Sequence, residues 1–460
     1  PRFTRGRCLM GNGLARPAGT RPLVLDLSLL ERHFSIIATL QLFLFIQILT
    51  FSNYFRLDPV GSLSHTADDG HCDAPREGLG VHCFGDYAFI RNAVASQDPW
   101  GIDYLLNYPA LSILPVVISY GVEVALGSFN WGLLFYLFFL FLAVSSTWLY
   151  YLRSLKATSV AAKVVSALAL GPLSLPAMVC LDRGNTVGFV VPALLVLMIG
   201  LIRDEAKLIG LGIMLAILVK PQFVVLIGLL LSLRKFRVAV GVVLAAGSLH
   251  LVAYLPFGFD GWSRVLDTGR NILAYGSTAG LADFDPPSVS FAGSLHKVVG
   301  GVFGASETTT HTLLATLLGL TAIVVLSQPH RISRVHLAIF WVITSALFVP
   351  VVWGYYLVVA QMTTLLAVGR ELNQDEARNT PRLRTRKRLA NSSLDLTLLL
   401  ANVFSMGAVL FPVLIQSGRL ISSQAFSGGA WLLFVAACLA HSLGFQRVFR
   451  RNRKTRPQRS

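Results

Sequence analysis

Charge is scarce in this chain. Only 13% of its 460 residues are Asp, Glu, Lys or Arg, while 54% are hydrophobic. A soluble domain carries roughly 25% charged residues, so an ordinary water-soluble globule is excluded. Acids are scarcer than bases, 23 against 39, and the net charge is +16. Cysteine is sparse too, with five residues in all, too few for a disulfide-stapled secreted scaffold. The chain has no glycine-rich strand-to-helix loop to cradle a nucleotide, no Cys/His spacing suited to zinc and no serine nucleophile elbow. It also lacks the roughly 20–50-residue repeat of a solenoid or propeller.

What the chain does have is apolar runs of helical length. A bilayer core takes about 20 apolar residues per crossing, and open sheet edges are excluded from hydrocarbon because their backbone groups stay unpaired. The expected fold is therefore an all-α polytopic membrane protein of about twelve crossings. They centre on 34–52, 130–152, 163–181, 186–202, 207–219, 221–233, 238–256, 311–327, 335–349, 355–369, 394–416 and 428–446. The expected organisation is a basic tail over 1–33, a transmembrane domain over 34–446 with long outer loops at 53–129 and 257–310, and a basic tail over 447–460.

The apolar stretch from Tyr108 to Gly127 is interrupted by Pro109, Pro115, Gly121 and Glu123. If it spans, Arg153, Lys156 and Lys163 fall outside; if it lies along the outer surface they fall in the cytoplasm, as the positive-inside rule prefers. The second arrangement puts both termini and most of the bases inside and leaves the outer face net acidic. The expected location is the bacterial inner membrane. The high pI then reports orientation and contact with anionic lipid rather than nucleic-acid binding. The basic segment before Phe34 reads as the flank of a first crossing, not as a cleavable signal.

The outer face concentrates the polar chemistry. Cys72 and Cys83 share the first outer loop, where a disulfide would stabilise by about 3 kcal/mol; whether they are bridged stays open. Cys180 and Cys438 sit in apolar runs as packing residues. His65, Asp68, Asp69 and His71 lie in a flexible-looking loop, and no metal site is expected there. Asp86 opens an apolar segment that runs to Asn92. Burial there raises a carboxylate pKa toward the range of an effective general base, or the residue caps a short helix.

Asp182-Arg183-Gly184-Asn185 is a tight charged turn between two crossings. Arg183 either snorkels or pairs with Asp182, or else offers a planar fork to a phosphate oxygen with Asn185 adding an amide. Lys220-Pro221-Gln222 separates the short apolar segments Lys207–Val219 and Phe223–Leu233. The lysine there either snorkels or meets an anionic lipid headgroup. Arg270 and His296 are further candidates in the third outer region.

Several pieces in a fixed order carry a resemblance. They are Asp86-Tyr87, Asp98-Pro99-Trp100, Tyr108-Pro109-Ala110-Leu111, Arg183-Gly184-Asn185, Lys220-Pro221-Gln222 ahead of Arg234-Lys235-Phe236-Arg237, and Pro350-Val351-Val352-Trp353. On these residues the chain resembles the GT-C superfamily of polyprenyl-phosphate-sugar glycosyltransferases, and most closely glycosyltransferase family 87, which includes mannosyl- and arabinofuranosyltransferases. The resemblance implies a GT-C-like bundle with juxtamembrane helices on the outer face, Tyr108–Gly127 among them, and Asp86 as the general base. The family motif near Trp353 often continues with histidines, whereas Gly354-Tyr355-Tyr356 follows here.

The implied reaction is inverting transfer of a sugar from a polyprenyl-phosphate donor to a lipid- or glycan-linked acceptor, with no cofactor or metal. Lys220, Arg183 and Arg270 would hold the donor phosphate, and Tyr87, Arg91, Asn185, Trp353, Tyr356 and His296 would contact substrate. The rival readings are a secondary transporter or lipid flippase, which would carry ionisable groups near the midplane, and a polysaccharide polymerase or ligase, which would lean on outer arginines.

Overall fold

A computed structural model describes residues 84–96, 98–101, 106–154, 171–257, 261–278, 290–295, 307–349, 352 and 354–360, with shorter pieces between 394 and 443. The regular structure among the described residues is helical apart from one two-residue antiparallel pairing, Val413–Leu414 with Leu420–Ile421. That pairing falls at the end of the crossing expected over 394–416. Pro412 stands immediately before it, and a proline cannot continue a helical hydrogen-bond ladder.

The helices, numbered in chain order, are α1 Gly85–Ala95, α2 Leu114–Leu126, α3 Phe129–Ser154, α4 Leu175–Arg183, α5 Val190–Arg203 and α6 Ala206–Val219. After them come α7 Ile227–Ser232, α8 Phe236–Val252, α9 Gly261–Thr278, α10 Glu307–Ser327, α11 Arg334–Leu347 and α12 Ser427–Leu443. Short 3-10 turns at Ala110–Ile113, Thr186–Phe189, Pro221–Leu226 and Gly354–Val359 lead into or link them.

Three stretches among the described residues are long and apolar enough to cross a bilayer: Phe129–Trp148, Thr186–Arg203 and Phe236–Phe257. Their outward faces are apolar, with Leu134 and Phe138 on α3 and Val240, Val243 and Leu244 on α8 exposed. Such surfaces are stable against lipid and costly against water, which marks the chain as a membrane protein. Five more expected crossings coincide with shorter apolar helices, Ala206–Val219, Pro221–Ser232, Thr312–Ser327, Arg334–Leu347 and Ser427–Leu443. The first expected crossing, 34–52, lies outside the described residues.

The expected crossing at 163–181 is not one continuous helix in its described part. Residues 171–174 form a turn and α4 begins only at Leu175, with Pro176 in its first turn. Gly171-Pro172 supplies the break. The described part of 355–369 is likewise mostly the 3-10 turn Gly354–Val359.

Helices α5 and α6 pack antiparallel about a two-residue link, Asp204-Glu205. A β-carbon at Gly212 would come within 2.5 Å of the Leu197 nitrogen, and one at Gly200 within 2.6 Å of the Ile209 nitrogen. Hydrogen side chains thus let the two backbones touch, the small-residue contact that holds helices together where hydrophobic attraction is absent. The geometric consequence is that Lys220, just past α6, returns to the end of the bundle where α5 began. At the opposite end Arg334 pairs with Asp204 at 2.8 Å, and Arg234, Lys235 and Arg237 are exposed.

Two further contacts build the end that carries the site. Arg91 of α1 forks onto Glu123 of α2, with Nε donating to Oε2 at 3.0 Å and Nη2 to Oε1. Its guanidinium also stacks over Tyr120 and Phe129 at 5.2 and 5.7 Å. The carboxylate that interrupts an apolar helix is therefore the anchor for α1. Asn271 of α9 donates to the carbonyls of Trp100 and Leu106 at 3.3 and 3.2 Å, and Arg264 pairs with Asp98 at 3.6 Å. These bonds tie the two long outer segments of the sequence reading to each other.

The Arg91–Glu123 fork is partly buried, so removing either partner strands the other charge. Arg91→Ala and Glu123→Ala should each destabilise by about 2 kcal/mol, because hydrogen bonds to charged groups are the strong ones. The double variant should cost little more than either single one. Additive losses in thermal unfolding would show that the fork does not clamp α1 to α2.

Candidate functional site

The site is built by bringing α1 against the end of α4. Phe84, the residue before α1, takes a left-handed backbone conformation at φ 38. Its N–H donates to the Asp182 carbonyl at 2.7 Å. A bulky residue in that region costs about 1–2 kcal/mol, and the bond to Asp182 helps offset it. Asp86 consequently sits inside the first turn of α1, where the positive helix end favours its charge. It is not the cap, a role that falls to Phe84 with no side-chain bond.

On the facing side α4 ends at Gly184, which has φ 63. A β-carbon there would lie 2.7 Å from the Tyr87 β-carbon. Both the reversed backbone and the approach of α1 demand glycine at this position. The carbonyl of Gly184 accepts a hydrogen bond from the Tyr136 hydroxyl at 2.8 Å, and the Tyr136 ring packs on Tyr87 at 4.7 Å.

This junction puts Arg183 and Asn185 onto Asp86. Arg183 donates from Nη2 to Oδ1 at 3.3 Å and from Nε to Oδ2 at 3.4 Å. Asn185 donates from Nδ2 to Oδ2 at 2.9 Å, while its own Oδ1 accepts from the Val187 N–H at 2.9 Å. The Arg183 side chain is 1% exposed and that of Asp86 13%. The partner of Arg183 in this fork is thus Asp86, a choice the sequence reading did not include, and snorkelling is ruled out by burial.

The expectation for the Asp86 pKa is overturned. Burial pushes it up as anticipated, but the Arg183 charge, the hydrogen bonds from Asn185 and Arg183 and the Lys220 charge together outweigh burial and hold it below the usual 3.8. Asp86 is a stabilised carboxylate, ionised at neutral pH.

Lys220 completes the cluster. Proline disfavours helical backbone in the residue before it, and Lys220 is extended at φ −142, ψ 105, so α6 stops there. The residue is 2% exposed, which overturns the snorkelling alternative. Its Nζ lies 3.9 Å from the centre of the Tyr108 ring and 5.6 Å from that of Tyr356 and has no hydrogen-bond partner among the described residues. Ring faces attract an ammonium but do not accept its N–H groups as an oxygen does. Tyr356 is fixed by donating to Gln222 Oε1 at 3.2 Å, and Gln222 in turn donates to the carbonyls of Ser345 and Ala346.

Asp86, Arg183, Asn185, Lys220 and Tyr356 therefore come together. Tyr87 is fully buried in the packing under the site, its hydroxyl 3.1 Å from that of Ser119, and Arg91 is engaged by Glu123, so the substrate contacts expected of these two are replaced by structural ones. Arg270 is 76% exposed and paired with Asp267 on its own helix at 3.0 Å; the described contacts do not bring it to the cluster. His296, Trp353, the Cys72/Cys83 pair and the histidines and aspartates at 65–71 lie outside the described residues. Cys180 is buried beneath Asn185, its Sγ 3.4 Å from that residue's carbonyl. Tyr108 and Gln222 have roles that the sequence reading missed; the aromatic beside Pro109 and the amide beside Pro221 were the only signals. Comparison with protein-family models, with curated proteins and with solved structures finds no match, so the chemistry is read from this geometry.

A carboxylate with a depressed folded-state pKa contributes stability that is full above its unfolded value, near pH 4, and is lost as pH falls toward the folded value. Below about pH 4 the wild-type melting temperature should therefore drop further than that of Asp86→Asn. Parallel pH profiles for the two proteins would show that the Asp86 pKa is not depressed.

Proposed function

We propose that the protein is a membrane glycosyltransferase. It transfers a sugar, mannose or arabinofuranose, from a polyprenyl-phosphate donor to a lipid- or glycan-linked acceptor at the outer face of the bacterial inner membrane. The observation that carries this reading is an ionised carboxylate, held by Arg183, in one cluster with a buried lysine amine that has no hydrogen-bond partner among the described residues, at one end of a bundle of apolar helices. The basic turns at the other end support the outward orientation under the positive-inside rule.

In the reaction the acceptor hydroxyl approaches Asp86 Oδ1, which among the described residues is held by the long Arg183 contact alone. Its oxygen attacks the anomeric carbon, the bond from that carbon to the phosphate oxygen breaks, and the proton passes to Asp86. Because the attacking oxygen loses electron density during displacement, its proton becomes acidic late, when a weakly basic carboxylate suffices. The polyprenyl phosphate departs from the opposite face of the sugar, which inverts the anomeric centre. Lys220 neutralises the charge that grows on the leaving oxygen. Arg183 and Asn185 keep Asp86 ionised and aimed. The partners are the polyprenyl-phosphate sugar, the acceptor and membrane lipids.

A transporter or flippase would place its ionisable groups near the midplane. Here they gather at helix ends: Asp86 in the first turn of α1, Arg183 in the last of α4 and Lys220 directly after α6.

Asp86→Asn should fold and insert but lose transfer by at least about 100-fold, the lower end of the range for a general base. Near-normal turnover in membranes would remove Asp86 as the base, and saturable solute movement without covalent change in proteoliposomes would favour transport. Lys220→Ala should raise the KM for the donor more than that for the acceptor. Equal effects on both would mark the lysine as structural.

A further inference from the structure

The backbone under Lys220 carries a defect that the sequence creates. Proline has no N–H, so Pro221 leaves the carbonyl of Ile217, four residues earlier, without its intrahelical donor. Buried carbonyls left in that state are costly and are almost always paired. His250 of α8 fills the gap, with its Nε2 3.3 Å from the Ile217 oxygen. A carbonyl can only accept, so the ring proton is on Nε2 and Nδ1 keeps its lone pair. The Nδ1 atom is buried and has no partner among the described residues. An apolar side chain would avoid that unpaired acceptor. Imidazole is tolerated in an apolar, membrane-crossing helix because the other nitrogen has a task. The next carbonyl, that of Leu218, is served from a different direction by the Ser112 hydroxyl at 3.2 Å, from the turn that follows Tyr108.

We propose that His250 is a positioning residue for the phosphate-binding cation: by donating to the carbonyl that Pro221 orphans, it fixes the last turn of α6 and so the seat of Lys220 against Tyr108. The role rests on the donor-phosphate reading of Lys220 for its function but not for its structure. Without the bond, the turn that ends in Lys220 is free to unwind toward another donor, and the ammonium leaves the ring face. The contact His250 makes is to the Ile217 carbonyl, so it acts through the α6 backbone.

Three purified full-length proteins in nanodiscs test this: wild type, His250→Phe, which keeps the ring volume and loses the donor, and His250→Gln, whose amide nitrogen can replace Nε2. The first readout needs no ligand. The rate at which an amine-acylating reagent labels Lys220, followed by mass spectrometry, should be equally slow in wild type and His250→Gln. It should rise about tenfold in His250→Phe, the scale of one lost hydrogen bond. The second readout is binding of polyprenyl phosphate alone, which should weaken about tenfold in His250→Phe and recover in His250→Gln. Equal labelling of Lys220 in all three proteins overturns the positioning role, whatever the lipid does, and so does a His250→Gln protein as impaired as His250→Phe. If labelling behaves as expected while wild type and Lys220→Ala bind the lipid phosphate equally, His250 still positions Lys220 and the donor reading is what fails.

Discussion

The ion pair between Asp86 and Arg183 is the contact on which the site depends. Both groups are almost wholly withdrawn from solvent, and in such surroundings a charge left without its partner is costly. Their mutual requirement fixes where α1 lies on the end of α4. Everything near them serves that placement. Phe84 bonds to the Asp182 carbonyl, Gly184 gives α1 room by having no β-carbon, Tyr136 holds the Gly184 carbonyl, and Asn185 braces the carboxylate with an amide. Away from the pair, the Arg91–Glu123 fork ties α1 to α2.

Lys220 stands in a different electrostatic position. Arg183 has its counter-charge in contact, whereas Lys220 rests on the faces of two tyrosines and influences Asp86 only through space. The described cluster therefore sets one ion pair beside a lysine whose N–H groups have no acceptor among the described residues. An anion is the ligand that such an arrangement suits. The depressed pKa of Asp86 belongs to the same balance: the basic groups near it lower the basicity of its carboxylate, which is why the proposed reaction has proton transfer late in bond formation.

Parts of this were legible in the residues. Apolar runs identified α3, α5 and α8 because a long helix in lipid needs a nearly uninterrupted apolar surface, which is a property of composition. Arg183 and Lys220 stood out because charge between apolar runs is rare. Their exact partners were not legible. Asp86 and Arg183 are 97 positions apart, and no local pattern distinguishes a fork to Asp86 from one to the adjacent Asp182. The sign of the Asp86 shift was misjudged for the same reason: burial can be read from neighbouring residues, but a distant cation that outweighs it cannot. Arg91 and Tyr87 were expected as substrate contacts of the implied reaction. Helical geometry instead turned Tyr87 into the core and Arg91 toward Glu123.

The chain's composition alone determined that it lives in lipid and is helical, since a backbone in hydrocarbon must satisfy its own hydrogen bonds and only apolar side chains are stable facing acyl chains. Local sequence also determined where helices break, because Pro172, Pro221 and Gly184 act on their immediate backbone. The meeting of Asp86, Arg183 and Lys220, the protonation of the carboxylate and the support of the Lys220 turn by His250 were decided only by tertiary structure. Each depends on distances between segments far apart in the chain, and electrostatic energies in a buried site follow distance and burial rather than order along the sequence.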